Sequence, residues 1–159
     1  MRTKAMEKVT RIASFTVNHD LLTEGIYISR IDGDIVTYDL RTRVPNGGDY
    51  MSSIAMHSVE HMFATYIRNS DIGERVIYFG PMGCRTGFYL LVRGLSPETV
   101  LSAVRACLER IISHEGEVFG KSRVECGNYL ELSIDEAKSE AKRYLCVLNS
   151  RKQDFKYKE

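Results

Sequence analysis

The hydrophobic pattern of residues 25–44, GIYISRIDGDIVTYDLRTRV, consists of two runs rich in β-branched and aromatic side chains that meet at Asp32-Gly33. Asp-Gly tolerates the positive φ of a tight turn, so an antiparallel hairpin is expected. VPNGGDYM reads as a loop, after which Ser52 or Ser53 can cap a helix running to about Asn69, where SDIG stops it. RVIYFGPM and TGFYLLVR are strand-like and flank Gly83-Cys84, which places Cys84 at a bend between strands. SPETVLSAVRACLERIIS (96–113) has a serine cap, proline and glutamate in its first turn, and apolar residues at helical spacing. The polar, glycine-rich HEGEVFGKSRVECGNY carries Cys126 on a loop or short strand, and SIDEAKSEAKRYLCVLNS (133–150) predicts a last helix. The expected fold is α+β, an antiparallel β-sheet packed against about three main helices. It should form a single domain over residues 1–159, with about 1–10 and 151–159 as loosely ordered, solvated tails.

Composition narrows the function. Apolar residues make up 43% of the chain, enough for a substantial core, and 22 basic side chains face 21 acidic ones for a net charge of +1. Apart from a short Lys-rich tail there is no charge run, which argues against nucleic acid and favours a small polar substrate or a protein partner. No segment reads as a signal peptide or approaches the roughly 18 apolar residues of a membrane span, so a cytoplasmic protein is expected. There the four cysteines, Cys84, Cys107, Cys126 and Cys146, should be reduced.

The helix expected from Ser52 carries HSVEH at residues 57–61. At 3.6 residues per turn, Ala55, Val59, Met62, Phe63 and Tyr66 form one stripe, the expected core face. His57, Glu60, His61, Ala64 and Arg68 lie roughly opposite. Imidazoles at i and i+4 project side by side and can reach one ion from one rigid helix, with Glu60 nearby as a non-ligating base. H-x-x-E-H by itself suggests a metallopeptidase. Cys126 offers a third ligand of a different kind, and a His, His, Cys set leaves a fourth position open, as catalytic sites do.

Cys107 and Cys146 stand in apolar helical surroundings and are expected to be inert core residues. Cys84 in GPMGCRTG and Cys126 in VECGNY sit among glycines and charges and are the functional candidates. Two readings follow from the residues alone: a small zinc metallopeptidase with Glu60 activating water, or a non-catalytic domain in which Cys84 closes a structural His2Cys2 metal site.

HSVEH, PMGCRTGFYLLV and Cys126-Gly127, together with SFTVNH at 14–19 and YDLRTRVPN at 38–46, resemble the S-ribosylhomocysteine lyase (LuxS) family, which makes the autoinducer-2 precursor. The resemblance spans the chain from about Ser14 to the last helix. It implies a cytoplasmic homodimer with active sites at the interface and one divalent metal per subunit, natively Fe2+, with Zn2+ or Co2+ able to substitute. The implied reaction cleaves S-ribosylhomocysteine to homocysteine and 4,5-dihydroxypentane-2,3-dione. Carried over residue by residue, the metal ligands are His57, His61 and Cys126, and the acid-base pair is Glu60 and Cys84. The substrate-binding residues are Ser14, His19 and Arg41, approaching across the dimer interface. Arg68, seven residues after His61 on the same helix face, is a further candidate for the substrate's carboxylate. Two places depart from the family pattern: Ser58-Val59 between the histidines, and Tyr78 with Gly80 before Pro-Met-Gly-Cys.

Overall fold

The computed structural model describes residues 9–159. The expected hairpin is present as β1 (Gly25–Asp32) and β2 (Ile35–Arg41), turning at Gly33, whose φ of 63° lies in the left-handed region that glycine adopts without a Cβ penalty. α1 (Ser53–Arg68) follows, then β3 (Val76–Pro81), β4 (Gly87–Arg93), α2 (Pro97–Ile112) and α3 (Ile134–Ser150). The four strands form one antiparallel sheet in the order β1-β2-β4-β3.

Alternation along the strands separates the two faces of this sheet. Tyr38 and Leu40 on β2 and Phe88, Leu90 and Val92 on β4 are buried with the apolar faces of the three helices. Thr37, Asp39, Arg41, Tyr89 and Leu91 take the other, outer face. Each helix starts on a serine: Ser52, Ser96 and Ser133 accept from the backbone N–H of Ala55, Thr99 and Glu136. Ser52 also donates to Glu136 at 2.7 Å, tying the start of α1 to the first turn of α3. No helix among the described residues is long and apolar enough to cross a membrane.

The buried stripe of α1 is Ala55, Ser58, Val59, Met62, Phe63 and Ile67. Tyr66 was expected in it, but the stripe bends to Ile67, and Tyr66 is half-buried with its hydroxyl 2.7 Å from His114 Nδ1. Cys107 is buried as expected, and burial raises its thiol far above the ordinary value. Cys146 corrects the reading made of it: α3 buries Ala137, Ala141, Tyr144 and Leu148, and Cys146 falls off that stripe, exposed.

The C-terminal segment is a second correction. Residues 151–157 do not hang free in solvent. Ile26 N–H donates to Gln153 Oε1 at 3.2 Å and Ile28 N–H to the Phe155 carbonyl at 2.9 Å, and Phe155 pairs in parallel with Tyr27. The lysines suggested a solvated tail, but Gln153 and Phe155 between them are buried. Together they cover the outer edge of β1, which would otherwise present unpaired backbone groups. Of the expected N-terminal tail, residues 1–8 lie outside the described residues.

Candidate functional site

Serine capping sets where α1 begins, and so fixes the histidines on its second and third turns. His57 Nδ1 donates to the Glu131 carbonyl at 3.1 Å and His61 Nδ1 donates to the Phe119 carbonyl at 2.7 Å. A carbonyl only accepts, so both Nδ1 atoms donate, and neither Nε2 is spent on the backbone. Backbone acceptors of this kind orient metal-binding imidazoles and raise their basicity. The two rings stand 4.7 Å apart at 87° to one another.

The irregular segment between α2 and α3 folds over this polar face of α1. Gly120 has φ +70°, and a Cβ there would lie 3.2 Å from His61 Nδ1, so a glycine lets the chain pass close against the ring. Farther on, Cys126 Sγ is 3.4 Å from His57 Nε2 and accepts from the Asn128 N–H at 3.4 Å. One donor atom from each of His57, His61 and Cys126 lies within 4.8 Å of the others. A tetrahedral ion with nitrogen and sulfur ligands at about 2.1 and 2.3 Å spaces such donors roughly 3.6 Å apart. The set therefore fits a divalent metal, with a fourth position left over.

Glu60 and Cys84 stand outside that cluster. Glu60 is half-buried beside His61, Ala64, Thr65, Phe119, Gly120 and Glu125, which line an open pocket of about 510 Å³. Cys84 is exposed on the turn between β3 and β4, as expected, and so does not close a His2Cys2 site within the protomer. The turn is firmly held. Its Thr86 carbonyl accepts from the N–H groups of Thr42 and Arg43 at 2.9 and 3.0 Å, and its Arg85 carbonyl accepts from Met51 N–H at 3.1 Å. Gly87 permits this, since a Cβ there would come within 2.6 Å of the Leu40 carbonyl oxygen.

Arg41 is more buried than a residue at a strand end suggests, at 3% exposure against 1% for Asp39. Its Nε and Nη2 donate to the two Asp39 carboxylate oxygens at 3.1 and 2.6 Å, and its Nη1 donates to Thr86 Oγ1 at 2.6 Å. Thr86 Oγ1 is in turn 3.0 Å from Cys84 Sγ. Burial lowers the Arg41 guanidinium, but Asp39, with help from Cys84 and Tyr157, more than offsets this and raises it. Sequence reasoning missed Asp39 and Thr86. The signal for Asp39 was there, since residues i and i+2 of a strand share a face and Asp-x-Arg can pair along it.

A family model described as S-ribosylhomocysteinase (LuxS) matches residues 12–155. The chain belongs to the LuxS family. Among curated proteins it is 41% identical over 151 residues to an S-ribosylhomocysteine lyase of Finegoldia magna, an alignment covering 92% of this chain and 96% of that one. It is 39% identical over 150 residues to the enzyme of that name from Borreliella afzelii (91% and 96% covered). The corresponding protein of Clostridium acetobutylicum is 40% identical over 150 residues (91% and 95%).

The remaining candidates of this LuxS chain are spread around the sheet. Ser14, in a short 3-10 turn (Ala13–Phe15), lines an open depression of about 430 Å³ on the outer face with Thr37, Tyr78 and Tyr89. His19 is half-buried, its Nδ1 donating to the Val17 carbonyl at 2.9 Å. Arg68 reaches the Val76 and Ile77 carbonyls at 3.4 and 3.2 Å, pinning the end of α1 to the start of β3. The two departures from the family pattern have local explanations. Ser58 is fully buried and accepts from the Ser133 N–H at 2.8 Å, while Val59 packs in the core. Tyr78 and Gly80 form a pair: a Cβ at Gly80 would meet the Tyr78 hydroxyl at 2.0 Å, so the tyrosine lies over the space the glycine leaves.

Proposed function

We propose that this chain is a metal-dependent S-ribosylhomocysteine lyase, releasing homocysteine and 4,5-dihydroxypentane-2,3-dione. The observation that carries the reading is the meeting of His57, His61 and Cys126 donor atoms within 4.8 Å in a LuxS chain. Expelling a thiolate requires a carbonyl β to the carbon–sulfur bond, and the sugar's carbonyl starts at C1. A proton moved from C2 to C1 shifts it to C2, and one moved from C3 to C2 shifts it to C3. Removal of the C4 proton then drives the electron pair toward C5, where the thiolate leaves.

A divalent metal held by His57, His61 and Cys126, Fe2+ by family resemblance with Zn2+ or Co2+ as substitutes, would supply Lewis-acid polarisation of the substrate oxygen. Glu60 and Cys84 would carry the protons, two groups suited to transfers at successive carbons. The thiolate of Cys126 adds negative charge to the ligand set, which favours reversible carbonyl migration over vigorous activation of water. Ser14, His19, Arg41 and Arg68 would bind substrate. Since Arg41 is already engaged by Asp39 and Thr86, it would do so chiefly by shaping the Cys84 turn.

The same reading has two copies completing each site, with Ser14 and His19 reaching the partner's metal ligands and Arg41 contributing through the Cys84 turn that it holds. Ile12, Phe15, Ile77 and Tyr78 are exposed around the N-terminal turn and β3, apolar surface that a second copy would cover. Incubating air-free, metal-loaded protein with S-ribosylhomocysteine should release free thiol in a 1:1 ratio with the dione; no release would overturn the proposal. Shared sites have their own test. Glu60→Gln and His19→Ala proteins, each impaired alone, should recover roughly a quarter of full turnover when re-paired, since half the dimers are then mixed and each has one intact site. No recovery in verified mixed dimers would contradict sharing.

A further inference from the structure

The family match ends at residue 155, and Tyr157 lies two residues beyond it. Its ring stacks on Tyr27 with centroids 5.1 Å apart and planes 15° from parallel. Its hydroxyl donates to Asp39 Oδ2 at 2.8 Å, the same oxygen that takes Arg41 Nη2. The chain of contacts then runs through Arg41 Nη1 to Thr86 Oγ1 at 2.6 Å and on to Cys84 Sγ at 3.0 Å.

Every direction along this chain is fixed by the chemistry of its members. A carboxylate only accepts, so Tyr157 must donate. Burial, followed by Asp39, pushes the Tyr157 phenol well above its ordinary value, which keeps that donor protonated. A guanidinium only donates, so Thr86 Oγ1 must accept from Arg41. The Thr86 hydroxyl hydrogen is thereby left for the Cys84 sulfur. The ionisable groups around this chain are Tyr27 against the Tyr157 ring, Tyr89 opposite Asp39 on β4, and Tyr144, with Arg41 as the cation among them.

The segment that presents Tyr157 is held at a cost. Phe155 has φ 61°, a left-handed conformation unfavourable for a bulky residue, and its burial and the bond from Ile28 N–H keep it there. Gly25 makes room beside it, for a Cβ there would sit 2.9 Å from Gln153 Oε1.

We propose that Tyr157 is a positioning residue for Cys84, acting through Asp39, Arg41 and Thr86 to keep the Thr86 hydroxyl aimed at the sulfur. The proposal rests on the reading of Cys84 as a proton carrier. With the phenol bond gone, Asp39 is free to turn from the plane it shares with Arg41, and the aim of Thr86 loosens.

Tyr157→Phe removes the hydroxyl and keeps the stack. The test is the rate of Cys84 alkylation by iodoacetamide across pH, read from the mass of the Cys84 peptide, with kcat and KM for homocysteine release measured on the same metal-loaded full chain. In Tyr157→Phe, alkylation at pH 7 should slow by about threefold and its profile should move to higher pH, because a hydrogen bond to the charged form favours that form. kcat should fall with KM unchanged, and the exposed Cys146 should react as before. Thr86→Val should move both readouts further in the same direction, and Thr86→Ser should restore them. A chain stopped after Lys156 should match Tyr157→Phe. An unchanged Cys84 profile in Tyr157→Phe and in the shortened chain overturns the proposal. A shifted profile with full turnover supports the tether and overturns the role of Cys84 as proton carrier.

Discussion

The metal-ligand cluster on α1 and the Asp39-Arg41-Thr86-Cys84 cluster at the end of the sheet solve opposite problems. In the first, side chains are held from behind by backbone carbonyls while their lone pairs are left unspent. The Nδ1 atoms of His57 and His61 donate to the Glu131 and Phe119 carbonyls, and neither Nε2 is spent on the backbone. In the second, charge is spent almost completely inside the protomer: Arg41 satisfies both Asp39 oxygens and Thr86 before it meets anything else. The first arrangement leaves donors that could hold an ion, and the second runs its hydrogen bonds inward to end at the Cys84 sulfur.

The difference predicts separable failures. The largest effect is expected from His57→Ala, which removes one of three donors: metal content should fall to background and turnover with it, while the apo protein stays folded, because His57 contributes little to the core. Metal analysis beside circular dichroism checks this, and a folded His57→Ala protein with full metal would break the assignment of ligands. Next is Glu60→Gln, which leaves the donors intact. Metal should be retained and turnover reduced on the order of 10²–10⁴-fold, the usual worth of a positioned acid-base group.

Asp39→Asn should show the inverse pattern. It leaves the buried Arg41 without its counter-charge, which destabilises a fold by about 3–5 kcal/mol in comparable cases. Denaturant unfolding should report that loss, while the folded fraction binds metal as tightly as before. If metal affinity collapses with stability, the two clusters are one unit and the comparison fails.

The metal cluster was legible in the sequence because helix periodicity is a strong local signal. Histidines four apart must share a face, and serine, proline and glycine marked where the helices begin and end. Cys126 was recognisable from its polar, glycine-rich surroundings, but the carbonyls that orient the histidines lie 58 and 74 residues away and leave no mark in local pattern. The sheet cluster was only half legible. Cys84 stood out by its glycine-rich, charged surroundings and Arg41 through family resemblance, whereas their link through Thr86 depends on how β2 and β4 meet. Tyr157 gave no signal, since a lysine-rich ending looks solvated unless the unpaired edge of β1 is known to need cover. Cys146 shows the reverse error: apolar neighbours in sequence do not bury a residue whose helix face points outward.

Cys84→Ala, with metal content and homocysteine release measured on the same protein, tests the separation of the two clusters most directly. Full metal with turnover lost is the predicted result: the sulfur belongs to proton transfer and the ion to His57, His61 and Cys126. Loss of metal would make Cys84 a fourth ligand of a closed structural site, and unchanged turnover would remove it from the reaction; either would contradict the account.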